Sequence, residues 1–264
     1  NQVTENLFRT EALRLSAPDT LFWYTSGKLG PLYVNTHFLY GSEADAVALL
    51  SKIDALENDR AALARYLSDE TAGQYKTNAV YKSTIDALVA LINDKFAPFE
   101  YDCISGGARR DWFFSIAAAR LLGKRHITLY KDGSAGEYDG KEYRALTKLD
   151  GERCLHVADL ITEASSYERA WIPALSALGG RLFATAVIVN RRQGGFELLA
   201  SLGVRAYALA DINDGLFAEA ETAGFIDGGT KKLICDYLDS PDATVKGFLS
   251  AHPGYIENEL AKGG

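Results

Sequence analysis

From residue 101 onward the chain alternates short apolar runs with helix-like segments, and this alternation constrains the fold more than any other feature. The strand candidates are residues 101–104, 127–130, 154–157, 183–189 and 204–209. The helix candidates are residues 111–122, 164–178, 196–202 and 216–223. Strands that are apolar along their whole length are buried on both faces, and intervening helices supply the cover. Right-handed crossovers then give an α/β fold, a mainly parallel sheet flanked by helices. Such sheets take ligands at the carboxyl ends of their strands, beside the point where the strand order reverses. Chemistry is therefore expected in the loops after the strands.

The first third reads differently. Residues 6–15 have the pattern of a short helix. Residues 21–24 and 32–34 are β-prone and flank Ser26-Gly27-Lys28-Leu29-Gly30-Pro31, which predicts a hairpin or bent loop. Ser42-Glu43-Ala44-Asp45 has the form of a capping box. Val47, Leu50, Ile53, Leu56, Leu63 and Leu67 follow at roughly helical spacing, and a second helix is expected over 81–93, before Pro98. We therefore divide the chain into 1–98 and a core with a helical tail over 99–264.

Composition narrows the function classes. A chain of 264 residues, 47% hydrophobic, can bury a sizeable core. Its net charge of −7 argues against a broad nucleic-acid-binding face, so an anionic ligand needs a local cluster of cations. Cys103, Cys154 and Cys235 are far apart and form no Cys-x-x-Cys pair, so reduced thiols are expected rather than a zinc or redox motif. No apolar run is long enough to span a bilayer, and residues 1–10 are polar. A soluble cytoplasmic protein is expected, with neither nucleic acid nor membrane as a partner.

The richest stretch is Cys154-Leu155-His156-Val157-Ala158-Asp159-Leu160-Ile161-Thr162-Glu163-Ala164-Ser165-Ser166-Tyr167. It reads as apolar strand, carboxylate, small hydroxylic residues, then helix. Backbone N–H groups at a helix start can surround a phosphate. Thr162, Ser165 and Ser166 can add hydroxyl donors, and Asp159 can accept from vicinal ribose hydroxyls. The same residues also satisfy a plain capped helix, with Thr162 as the cap. Ser105-Gly106-Gly107-Ala108-Arg109-Arg110-Asp111 follows the first core strand. Paired glycines permit close backbone approach, and two arginines suit a pyrophosphate; a turn with solvated arginines is the alternative. Lys131 opens a Gly-rich polar stretch over 130–141, expected to be an exposed loop. Arg191 lies in Val189-Asn190-Arg191-Arg192-Gln193-Gly194-Gly195, after the fourth strand.

Taken together, these residues resemble the type I phosphoribosyltransferase family, and orotate phosphoribosyltransferases most. The 154–167 stretch is similar to the family's phosphoribosyl-pyrophosphate (PRPP) motif. Ala158 stands where the first acid is usual, and Glu163 and Ala164 stand at small-residue positions. Phe22, Ser26, Gly27, Pro31 and Asn35 match the hood motif of the orotate enzymes.

The resemblance implies the type I fold with an amino-terminal hood, an extra helical segment and transfer of a phosphoribosyl group from PRPP to orotate. A non-catalytic PRPP or nucleotide regulator on the same fold, or a transferase for another base, are the alternatives. It implies Asp159 and Lys131 as catalytic residues, with Asp159 as the Mg²⁺ ligand. PRPP would contact Arg109, Arg110, Lys131, Asp159, Thr162, Glu163, Ala164, Ser165 and Ser166. Orotate would contact Thr25, Lys28, Tyr33 and Arg191. A homodimer is usual among relatives and is expected here. A carboxylate about 5 Å from a phosphate charge costs about 3 kcal/mol at an effective dielectric of about 20. The Glu163 side chain is therefore expected to point to solvent.

Overall fold

The computed structural model describes residues 1–24 and 27–262. In chain order the elements are α1 (Gln2–Arg9), β1 (Leu13–Leu15), β2 (Phe22–Trp23), β3 (Leu29–Gly30), β4 (Leu32–Val34), a 3-10 helix (Thr36–Tyr40), α2 (Glu43–Ala55), α3 (Arg60–Thr77) and α4 (Ala79–Lys95). The core continues with β5 (Cys103–Gly107), α5 (Trp112–Leu121), β6 (Arg125–Leu129), β7 (Ala135–Tyr138), β8 (Tyr143–Leu146), β9 (Arg153–Ile161), a π-helical turn (Tyr167–Trp171), α6 (Ile172–Ala177), β10 (Arg181–Asn190), α7 (Gly195–Ser201) and β11 (Arg205–Asp211). The tail holds α8 (Asp214–Thr222), α9 (Gly228–Asp239), α10 (Pro241–Ala251) and α11 (Tyr255–Lys262).

The main sheet runs β11-β10-β9-β5-β6-β7-β8. The first five of these strands pair in parallel, while β7 and β8 are antiparallel additions at the edge. From β5 the chain steps outward to β6, then returns to the other side of β5 to lay down β9, β10 and β11. The order therefore reverses between β5 and β9. A crevice opens at such a point because the two outgoing loops diverge.

Both sheet faces are covered, as the apolar strands require. Along β9, Leu155 and Val157 belong to one buried cluster, and Cys154 and Ala158 to the other. This is the two-residue period of a strand with no exposed face. Cys103 and Cys154, distant in sequence, are register partners on β5 and β9, with their sulfurs 2.8 Å apart.

The amino-terminal expectations need correction at two points. Helix α1 starts at Gln2, capped by Asn1, and ends at Arg9 instead of running to residue 15. Glu11 then turns the chain with φ of 56°, and Leu13–Leu15 pairs antiparallel with β4. The hairpin pairs β2 with β3 (Phe22↔Gly30), not residues 21–24 with 32–34. Downstream, the Ser42 side chain accepts from the Asp45 N–H, and Asp59 and Asn78 cap α3 and α4 in the same manner. These caps divide the 43–95 region into three helices.

The 130–141 stretch is not wholly an exposed loop. Its second half is β7, paired with β6 and with β8. Gly136 is needed there because a Cβ would run into the Tyr143 ring, at 2.5 Å from its nearest atom. Arg125 at the start of β6 holds Glu137 at 2.7 Å.

Candidate functional site

Where β5 and β9 end, a cavity of about 260 Å³ lies between their outgoing loops. Arg109, Arg110, Lys131, Asp159 and Ser166 line it. These residues come from three separate loops and, for Asp159, from the end of β9, and the topology alone brings them together. The Ala108–Arg109 peptide is cis. Arg109 is ion-paired with Asp54 of α2. Among the described residues, the side chains of Arg110 and Lys131 have no ion-pair or hydrogen-bond partner, and both are exposed.

Asp159 is held from behind. Its backbone N–H donates to Asp111 Oδ1 at 3.0 Å, while the Gly107 N–H donates to Asp111 Oδ2 at 3.0 Å. Asp111 therefore ties the end of β5 to the end of β9. His156 Nε2 lies 3.3 Å from the same Oδ2, and its Nδ1 lies 3.0 Å from Ser105 Oγ. The His156 ring is fully buried, 6.2 Å from the Trp171 ring and 5.1 Å from Tyr167. Burial, and then the neighbouring Asp111 carboxylate, push the Asp159 carboxyl well above the usual range; Arg110 opposes this.

The sequence pointed to neither Asp111 nor Trp171. The signal for Asp111 was its place at the start of a helix, directly after the two arginines. The glycine pair also serves differently from the expected ligand approach. Gly106 and Gly107 lie inside β5 and are buried, and a Cβ on either would collide with Ser115 or with Trp171. Their smallness seats α5 and the π-helical turn against the sheet.

Strand β9 continues through Asp159 to Ile161, so the phosphate-loop candidates begin only at Thr162. Ala158 is buried against the cluster that includes Trp171 and Leu175. Because neighbouring strand residues face opposite sides, Ala158 does not share a face with Asp159. Ala164 is buried with φ of 58°, and Glu163, Ser165 and Ser166 are exposed. Among the described residues, no protein group accepts a hydrogen bond from the backbone N–H groups of Glu163, Ala164, Ser165 or Ser166. Four successive amides without protein partners at a helix start favour an anion. Of the loop's hydroxyl residues, Ser166 lines the cavity, whereas Thr162 and Ser165 do not.

The loop after β10 docks on this loop. Arg191 N–H donates to Ile161 O and Gly195 N–H to Thr162 O, each at 2.9 Å. A Cβ at Gly195 would come within 2.5 Å of that Thr162 oxygen, so only glycine fits. Asn190 is buried, donates to Asp211 and accepts from the Arg192 N–H.

The Arg191 side chain lines a second cavity, of about 810 Å³, together with Lys28 and Tyr24. Tyr33 does not line it: its ring packs 4.8 Å from Phe22 and 5.1 Å from Tyr24, and its hydroxyl donates to Trp23 O. Thr25 lies outside the described residues. On the 3-10 helix, His37 is buried and its Nδ1 has no partner. Burial, then the charges of Arg110 and Arg109, push it down to about 4.

No family model matches the chain. In sequence it is 29% identical over 99 residues to orotate phosphoribosyltransferase of Sulfolobus acidocaldarius, a match spanning 38% of this chain and 49% of the relative. It is 33% identical over 90 residues to orotate phosphoribosyltransferase of Saccharolobus solfataricus, spanning 34% of this chain and 45% of the relative. The chain thus spans about half the length of the curated relatives it matches. Among solved structures, orotate phosphoribosyltransferase from Francisella tularensis superposes with a TM-score of 0.58 at 13% identity, over 88% of this chain and 95% of that one. The enzyme from Aeropyrum pernix gives 0.53 at 20% identity, over 84% and 99%. UMP synthase from Leishmania donovani gives 0.57 at 15% identity, over 90% and 41%. At these identities the structural likeness establishes the fold.

Proposed function

For a chain that belongs to the type I phosphoribosyltransferase family and carries its fold, we propose transfer of a phosphoribosyl group from PRPP to orotate, giving orotidine monophosphate and pyrophosphate. The observation that carries this reading is the cavity between β5 and β9. There Asp159 and uncommitted cations meet Ser166, the last of four successive residues whose backbone amides, among the described residues, have no protein partner.

In this reading the amides of residues 163–166, with the Ser166 hydroxyl that lines the cavity, hold the 5′-phosphate. Asp159 accepts from the ribose hydroxyls and fixes the sugar in line with the acceptor. Arg110 and Lys131 receive the charge that develops on the departing pyrophosphate, and Arg109 joins them when it leaves Asp54. The C1–N1 bond to the base forms as the C1–O bond to pyrophosphate breaks and the N1 proton passes to the departing pyrophosphate or to solvent, through an oxocarbenium-like state that needs no protein nucleophile. Lys28 and Arg191 receive the orotate carboxylate, and the aromatic beside them is Tyr24, not Tyr33.

The donor set also bears on Mg²⁺. Among the described residues there is no group of three or more His, Cys, Asp or Glu that could cage a metal. Of the two carboxyl groups that line the cavity, Asp111 has both oxygens engaged by backbone amides, which leaves Asp159 to reach a ligand. That set fits an ion that arrives with the substrate's phosphates and keeps its waters. Such an ion, held by Asp159, would neutralise pyrophosphate charge.

One observation favours a non-catalytic PRPP sensor as the second reading: Ala158, at the motif's first acid position, is buried in apolar packing. The two readings separate by assaying orotidine monophosphate formation with Mg²⁺ alongside calorimetric titration of PRPP. Turnover together with saturable PRPP binding is the result expected. Binding without turnover selects the sensor or another base, and the absence of both removes the proposal.

A further inference from the structure

The carboxyl-terminal tail carries no recognisable motif, yet it forms one wall of the second cavity. That cavity, of about 810 Å³, is closed by Tyr237 of α9 and by Val245, Lys246 and Leu249 of α10. Its volume lies within the roughly 300–1,000 Å³ of small-molecule sites. Opposite the tail stand Tyr24 and Lys28 near the β2–β3 turn, and Arg191 after β10.

The tail is fastened to the hood at defined atoms. The Tyr255 hydroxyl accepts from the Leu21 N–H and donates to the Leu21 carbonyl, both at 2.8 Å. Leu21, Leu29 and Phe248 form a small apolar cluster behind that clasp. The Tyr24 and Tyr237 hydroxyls both close on Gly30, where a Cβ would collide with them.

The charges around this cavity are unusual for a chain of net charge −7. Lys28, Arg191 and Lys246 line it, and among the described residues none has an ion-pair partner. Among the described residues, Asp242 is the one carboxylate in the lining. Three cations against one anion, with two tyrosines between them, suit a flat heteroaromatic carboxylate: the rings meet its faces and the cations its charge.

We infer that Tyr237 and Lys246 complete the acceptor site, so that the tail helices determine which anionic base is taken. This rests on the proposed transferase reading and deepens it by assigning specificity to a segment outside the family motifs. Lys246 is exposed, so its replacement leaves the core intact.

The test compares Lys246→Ala, Lys246→Arg and Tyr237→Phe in the full chain. Lys246→Ala is expected to raise the orotate KM about tenfold, with kcat and PRPP affinity within about twofold of the parent. Lys246→Arg is expected to restore most of the loss, and Tyr237→Phe to raise the KM about threefold. An unchanged orotate KM in both Lys246→Ala and Tyr237→Phe overturns the inference and leaves the transferase reading standing. Calorimetry with PRPP and, separately, with orotate keeps the two failures apart. A parent protein that does not bind PRPP defeats the transferase reading. The orotate titration then decides this inference by itself: weaker binding by Lys246→Ala upholds it, and equal or absent binding in parent and variant ends it.

Discussion

The two cavities are built in opposite ways. The one between β5 and β9 rests on buried bonds from the sheet: Asp111 bridges two strand ends, and His156 backs it from a fully buried position. The one between hood and tail is assembled from Tyr24, Gly27, Lys28, Leu29, Arg191, Gln193 and the tail from Tyr237 to Ile256, joined by surface contacts and the Tyr255 clasp. In the proposed reading the difference divides the work: phosphate recognition falls to the sheet core, and acceptor recognition to segments that pack on it.

The contrast yields graded predictions. Asp159→Asn keeps the side chain's shape and removes its capacity to ionise when substrate and its cations reach the site. It should lower kcat/KM for PRPP about a hundredfold, since a hydrogen bond to a group that becomes charged in the complex contributes about 1.5–3 kcal/mol. Thermal unfolding of the variant should stay close to that of the parent. Equal kinetics in parent and variant would remove Asp159 from the site.

Asp111→Ala acts through positioning. It strands two buried backbone N–H groups, at about 1–3 kcal/mol each, so urea unfolding should show a loss of about 2–6 kcal/mol. The PRPP KM should rise while the orotate KM changes little. A larger change in the orotate KM would break the division between the two cavities.

The smallest effect belongs to the tail. Tyr255→Phe removes both hydrogen bonds to Leu21 and should cost about 1 kcal/mol in urea unfolding. It should raise the orotate KM about twofold and leave PRPP binding alone. An equal loss of PRPP affinity would mean that the tail and the core site move as one body.

The same contrast explains what was legible in the sequence. Strands β5, β6, β9, β10 and β11 declare themselves because each has an apolar stretch bounded by polar turns, and the ends of β5, β6 and β9 carried Arg109, Arg110, Lys131 and Asp159 to one place. Strands β1 and β7 do not. Leu13 and Leu15 fall at positions a helix would also use, and only the left-handed turn at Glu11 ends that helix. Ala135-Gly136-Glu137-Tyr138 has the composition of a loop and becomes a strand because β6 and β8 flank it. Asp111 was hidden because two of its contacts are with backbone amides, which leave no trace in residue identity, and the third is with His156, 45 residues away. Tyr237 and Lys246 were hidden because a wall formed by helices more than 200 residues from the hood has no spacing rule.

The central claim is that the loop after β9 receives the sugar phosphate through its backbone. Backbone amide NMR of the uniformly labelled protein, titrated with PRPP in the presence of Mg²⁺, tests it directly. The account predicts saturable shifts concentrated at the amides of Glu163, Ala164, Ser165 and Ser166, with smaller ones at Arg110 and Lys131. Saturable shifts confined to other regions, or none at all, would contradict it.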